Sequence, residues 1–138
     1  MRTHQVSRTI AATPETIWAI LTDAPAYTTW DSGVVKVEGA ISSGAKIKVF
    51  SAVSPDRAFP VTVTTFEPGT KMVWGSRMPL GLFKGERTFT LTPRGEGTTE
   101  FHMQEVFSGP LLPLIGRSIP DLTPSFEQFA DGLKARAE

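Results

Sequence analysis

Two charged residues stand on faces that are otherwise apolar. Arg87 falls in the alternation Phe83, Gly85, Arg87, Phe89, Leu91, and Glu105 in the alternation Thr99, Phe101, Met103, Glu105, Phe107. A period of two puts alternate residues on one side of a strand. The turn-rich segment Pro93-Arg94-Gly95-Glu96-Gly97 joins the two runs, so any register that keeps like faces together leaves Arg87 and Glu105 on the same apolar side. A carboxyl in such surroundings can move a proton as general acid or base, and a guanidinium can hold a carboxylate or stabilise an enolate. The same two groups also satisfy one another as a structural ion pair, because charges persist in apolar surroundings mainly when paired.

The other chemistry-bearing residues are more dispersed. Trp30-Asp31 stands where a helical insert must return to the sheet. Trp30 there is either part of a cavity mouth or a packing plug, and Asp31 is expected to receive local turn amides. His4 lies near the chain terminus, and His102 shares the polar face of Glu100 and Gln104. Neither has the spacing of a metal site or a triad, so no metal is expected. There is no cysteine, no GxSxG elbow, and Gly95-Glu96-Gly97 lacks the strand–Gly–helix order of a phosphate loop. No cofactor is therefore expected. Two connections are unusually apolar, Met78–Phe83 and Gly109–Leu114. They suit a gate, a partner contact or a homodimer, and Met78–Phe83 equally suits plain packing on the kinked helix.

The 138 residues suit one domain with a substantial core, and the 14 basic residues balance 14 acidic ones. No single-sign field is available for a phosphate backbone or an anionic membrane, which argues against nucleic acid as a partner. No run approaches the roughly 18 apolar residues of a membrane span, and the first ten residues lack an apolar export core. A cytoplasmic location is the expectation.

These residues must be positioned by simple elements. His4–Ile10 alternates as a half-exposed strand. Thr13-Pro14-Glu15 then starts a helix: Thr13 accepts from free amides, Pro14 suits the first turn, and Glu15 meets the positive dipole end. Ile17, Ile20, Leu21 and Ala24 form its apolar stripe, and Pro25 ends it. Between Val34 and Leu91 a period near two, punctuated by Gly and Pro, predicts an antiparallel meander. If Pro68-Gly69 is a two-residue turn, Phe66 faces Lys71, Val63 faces Trp74 and Val61 faces Ser76. Near the end, Ile115, Ile119, Leu122, Phe126, Phe129 and Leu133 step by four and three as one helical stripe. Pro120 and Pro124 fall inside it and predict a kinked or two-piece helix, with Thr123 available to cap the second piece.

A strand, a short helical insert, about six more antiparallel strands and a long terminal helix imply a curved sheet wrapped around that helix. At this level of detail the chain resembles the START-like, or SRPBCC, superfamily. The resemblance is carried by IxAxPExIWAxLTDxxxYxxW at Ile10–Trp30, the EPG turn with MVW at Glu67–Trp74, GEGTTEF at Gly95–Phe101 and the terminal FxxFxxxLKxxAE. Within the superfamily the chain is most similar to small bacterial polyketide cyclase/dehydrase-type proteins. The resemblance covers nearly the whole length and implies one α+β helix-grip domain over residues 1–138, with about seven strands around a Pro-kinked helix. It also implies a cavity between sheet and helix that takes an apolar, aromatic or lipid-like molecule. The matching wall is Trp30, Trp74, Arg87, Phe89, Met103, Glu105 and Phe107 with Ile115, Ile119, Leu122 and Phe126. Three functions follow from it: a small-molecule binder, a cyclase or dehydratase in which Arg87 orients an oxygen and Glu105 moves a proton, and an interaction module of the chaperone-activator kind.

The helical stripe must both seal a core and line a cavity. Phe129→Ala is expected to cost ~3–5 kcal/mol as a core deletion, and Leu122→Ala less than the ~2–5 kcal/mol of a well-packed site. Chemical denaturation of the two variants measures the difference; equal losses would make both positions ordinary core.

Overall fold

The computed structural model describes residues 2–52, 54–77, 79–115 and 122–138. Strand β1 (Arg2–Ile10) leads through helix α1 (Pro14–Leu21) and a 3-10 turn (Pro25–Thr28) into β2 (Val34–Glu38), β3 (Lys46–Ser51), β4 (Ser54–Glu67) and β5 (Lys71–Arg77). A short 3-10 turn (Pro79–Gly81) precedes β6 (Lys84–Pro93) and β7 (Thr99–Ser108), followed by helices α2 (Leu112–Ile115) and α3 (Thr123–Ala137). The strands form one curled antiparallel sheet of seven, ordered β1-β7-β6-β5-β4-β3-β2. This is the helix-grip architecture that the sequence predicts.

The insert begins as its residues require. Thr13 Oγ1 accepts from the Thr16 amide at 3.2 Å, and Pro14 and Glu15 occupy the first turn. Ile17 and Leu21 are wholly buried, and Thr99 Oγ1 donates to the Ala12 carbonyl at 2.8 Å, which ties the start of the insert to β7.

The β4–β5 hairpin differs from expectation at its tip. Glu67, not Phe66, pairs with Lys71, so Pro68, Gly69 and Thr70 form a three-residue turn with Gly69 left-handed at φ 73°. A bulge at Thr64 absorbs the extra residue, and Val63 still faces Trp74. The inward face of Val63, Met72 and Trp74 is therefore retained.

At the C-terminus, Pro124 lies in the first turn of α3, where its missing amide breaks no bond, so it starts the helix without kinking it. Leu122 occupies the cap position expected for Thr123, which is itself the first helical residue. The expected kink at Pro120 lies outside the described residues.

Helix α3 crosses the concave face and packs on its aromatic lining. Phe129 sits among the rings of Tyr27, Trp30, Phe89 and Phe101 at centroid distances of 5.2 to 6.3 Å. Leu133 and Ala130 beside it are fully buried, whereas Leu122 is only partly so. Straps on the outer side fix the helix: Arg8 Nε to Asp131 at 2.7 Å, Lys134 Nζ to the Thr9 carbonyl at 2.8 Å, and Gln128 Nε2 to Asp31 at 2.7 Å. Asp31 thus accepts from α3, where the sequence suggests amides of its own turn. The tightest contact is Gly132 on the Asp31 carbonyl, where a Cβ would lie 1.9 Å from the oxygen.

Two outcomes test this packing. Gly132→Ala is expected to cost about 3 kcal/mol, the upper end of overpacking penalties, because both sides of the contact are backbone; chemical denaturation at wild-type stability would contradict it. Tyr27 is fully buried and donates to the Leu21 carbonyl at 2.5 Å, and burial pushes its phenol well above the ordinary range against the pull of the Arg87 charge. The folded state then keeps a proton that the unfolded chain releases above about pH 10, so stability is unaffected below that pH and falls above it by up to ~1.4 kcal/mol per pH unit. Phenolate absorbance of this single tyrosine should rise only with alkaline unfolding; ionisation in the folded protein would contradict the burial.

Candidate functional site

The sheet registers place four polar side chains in one row across four neighbouring strands. Trp74 on β5 faces Arg87 on β6, Arg87 faces Glu105 on β7, and Glu105 faces His4 on β1. All four stand on the concave side, sharing parity with buried Met72, Phe89, Met103 and Val6. Arg87 donates to Glu105 Oε1 through Nε at 3.2 Å and Nη2 at 2.9 Å, both bonds going to the same oxygen. The pair is half-buried, its side chains 24% and 13% exposed.

Among the described residues, helix α3 meets the row through Phe126. The Arg87 guanidinium lies over its ring at 5.0 Å, and the His4 ring stands 6.0 Å from Phe126 and 6.2 Å from Phe107. Trp74 packs edge-on against Phe89 at 4.8 Å. Among the described residues, Trp74 Nε1 and His4 Nε2 in the row, and Trp30 Nε1 at the insert, are buried without a hydrogen-bond partner. An indole N–H can only donate, and leaving a buried donor unmet costs about 1–3 kcal/mol. Beyond the row, toward the β5–β6 connection, Phe107 lies against Gly85 and stacks on Phe83 at 5.8 Å.

Of the wall residues read from the sequence, Trp74, Arg87, Phe89, Met103, Glu105, Phe107 and Phe126 line this concave side together. Leu122 packs at the start of α3. Trp30 stands apart, tilted against Tyr27 and edge-on to Phe129 as a plug for the insert. Ile115 closes α2, and Ile119 lies outside the described residues. The sequence reading passed over His4 as a terminal residue. Its parity with Val6 and Ile10 was the available signal, since all three fall on the inward side of β1.

Two concavities of the described surface lie elsewhere. One of about 330 Å³ is bounded by Trp30, Asp31 and the C-terminal half of α3; the other, of about 560 Å³, lies on the convex side of the sheet between Lys46, Thr64, Arg77 and Glu86. On the concave side the aromatic cluster around Phe129 fills the space between sheet and helix.

Solved structures share this fold. A START superfamily protein from Mycobacterium smegmatis matches with a TM-score of 0.70 at 18% identity, covering 98% of this chain and 96% of its own. A protein from Mesorhizobium loti matches at 0.70 and 23% identity over 97% and 95% of the two chains. The Aha1 dimer from Colwellia psychrerythraea matches at 0.73 and 21% identity over 100% and 97%. No curated protein matches the chain. The family model described as polyketide cyclase / dehydrase and lipid transport matches residues 1–138, and the chain therefore belongs to that family.

Proposed function

We propose that the protein binds a small, mainly apolar, uncharged molecule bearing a hydrogen-bond acceptor, held between the sheet and the start of α3. The observation that carries this reading is the row Trp74–Arg87–Glu105–His4, with two unpartnered buried nitrogens beside a self-neutralising ion pair in an apolar wall. The pair's charges cancel, so an anionic head group would have to break it, whereas a ketone or ether oxygen meets the donor-only indole of Trp74. Room for the molecule comes from Phe126 and the first turn of α3 moving off the row, because Phe129 and its neighbours anchor the rest of the helix. The family description, with its polyketides and lipids, concerns molecules of this kind.

Proximity of Glu105 to Arg87 on one inward face favours a second reading, a cyclase or dehydratase. There Glu105 moves a proton, Arg87 holds the oxygen that gains charge, and the wall folds the chain into a reactive shape.

Titration with a neutral naphthyl ketone dye, with mass spectrometry of small molecules extracted from the purified protein, tests the binder. Trp74→Phe keeps the aromatic bulk and removes the N–H, so ketone affinity should fall about tenfold, the worth of one hydrogen bond. Unchanged affinity, or no saturable binding by the wild type, would overturn the reading. For the enzyme, Glu105→Gln should slow turnover of a linear polyketone ~100-fold with binding retained; an unchanged rate removes Glu105 from the chemistry.

A further inference from the structure

We propose that the convex face of the sheet binds a small phosphorylated molecule, its phosphate seated over Gly75 between Lys46 and Arg77. The registers set one row across four strands: Lys46 on β3 faces Thr62 on β4, Thr62 faces Gly75 on β5, and Gly75 faces Glu86 on β6. Gly75 lines the concavity of about 560 Å³ and, having no side chain, leaves its floor open. Nothing in the fold asks for glycine here. A Cβ would meet Thr64 Cγ2 at 3.4 Å, an ordinary contact, and Gly75 is not one of the left-handed glycines. The neighbouring bulge takes its extra residue in β4, not in β5. An interior glycine weakens a strand, and one that packing does not demand marks a place where something approaches the backbone closely.

Two cations flank that floor. Lys46 stands two strands from Gly75, about 10 Å at the spacing of neighbouring strands, and Arg77 two residues along β5, about 7 Å. Both line the concavity, and among the described residues neither makes an ion pair. Lys84 also lines it but is held by Glu86 at 3.1 Å, so that pair adds no net charge. The excess over the floor is therefore two positive charges, those of Lys46 and Arg77. A phosphate monoester matches it, because its second ionisation at about pH 6 leaves a dianion at neutral pH. Arg77 offers the planar fork that meets two phosphate oxygens, and Lys46 a point charge opposite. Thr62 and Thr64 bring hydroxyls to the same walls, with the bulge placing Thr64 beside Gly75.

The volume falls within the roughly 300–1,000 Å³ of small-molecule sites and exceeds what a lone phosphate fills, so the molecule carries an organic part, set against Val61 and Pro60. A nucleic-acid backbone is a poorer occupant, because basic and acidic residues balance over the whole chain and no extended positive track leads away from these two cations. The concavity lies on the opposite side of the sheet from Arg87 and Glu105, and the proposal needs no opening of α3. It therefore stands or falls apart from the concave-side ligand.

The test is a titration of the full chain with glycerol phosphate, read in the backbone amide signals of Gly75 and Thr62, with glycerol and malonate as comparison ligands. Saturable shifts with glycerol phosphate, none with glycerol and weaker ones with malonate are expected, the indole signals staying still. Lys46→Gln and Arg77→Gln should each weaken binding about tenfold or more, the loss of one charge-assisted hydrogen bond. Glu86→Gln, which frees Lys84 for the phosphate, should tighten it severalfold. Lys71→Gln removes a charge from the same face of β5, about 13 Å from Gly75 and outside the concavity, and should change affinity less than about twofold at about 150 mM salt. Gly75→Thr fills the floor and should abolish binding with thermal stability kept, since threonine suits a strand. The proposal is overturned by an absence of saturable binding, by malonate binding as tightly as glycerol phosphate, by equal losses in Lys71→Gln and Lys46→Gln, by wild-type affinity in Gly75→Thr, or by capture on vesicles carrying phosphatidic acid, which would make the source a lipid.

Discussion

The seven-stranded sheet has one face that must be covered, and among the described residues α3 and the insert supply the cover. Where α3 meets the insert, Gly132 touches the Asp31 carbonyl and Phe129 enters a ring of four aromatic side chains. Backbone against backbone fixes the depth of the helix, and Phe129 fixes its register. The exposed straps at Arg8, Gln128 and Lys134 add little energy each, on the order of 0–1 kcal/mol, and serve mainly to orient.

The site follows from how far that cover reaches. Fifteen helical residues span about 22 Å, whereas a ten-residue strand such as β6 or β7 runs about 33 Å. The helix seals the end near the insert, and among its described residues Phe126 is the ring that lies over the row at Arg87. The concave face therefore grades from solid aromatic packing to a half-buried polar row and then to the Phe83–Phe107 wall. Stability and binding can occupy opposite ends of one groove, so ordering one does not require opening the other.

Much of this was legible in the residues. Period-two alternation in β6 and β7 leaves Arg87 and Glu105 on the same face in any register that keeps like faces together, and the structure pairs them directly. Thr13-Pro14-Glu15 announced α1, and the Phe126–Phe129–Leu133 spacing announced α3. Three features were not legible. Turn length at Pro68 and the bulge at Thr64 compensate each other, and pattern alone cannot see either. A proline in a helical stripe breaks or begins a helix according to its position relative to the first turn, and Pro124 begins one. His4 looked peripheral because nearness to a terminus says nothing of burial once a strand pairs along its full length, as β1 does with β7. The polar row itself is a property of three registers taken together, which no single strand displays.

The central claim is that the Phe129 end is sealed and the Trp74–Arg87–Glu105–His4 end adapts to a ligand. The indole signals of Trp18, Trp30 and Trp74 report on it from three places: Trp18 packs on Phe66, Trp30 on Phe129 and Tyr27, and Trp74 on Phe89 and the same Tyr27, beside Arg87. In a proton–nitrogen correlation spectrum recorded while a neutral naphthyl ketone is added, the Trp74 indole should move downfield as its N–H gains an acceptor, with Trp18 and Trp30 stationary. Movement of Trp30 with Trp74 unchanged would place the adaptable end at the insert and contradict the division of the groove.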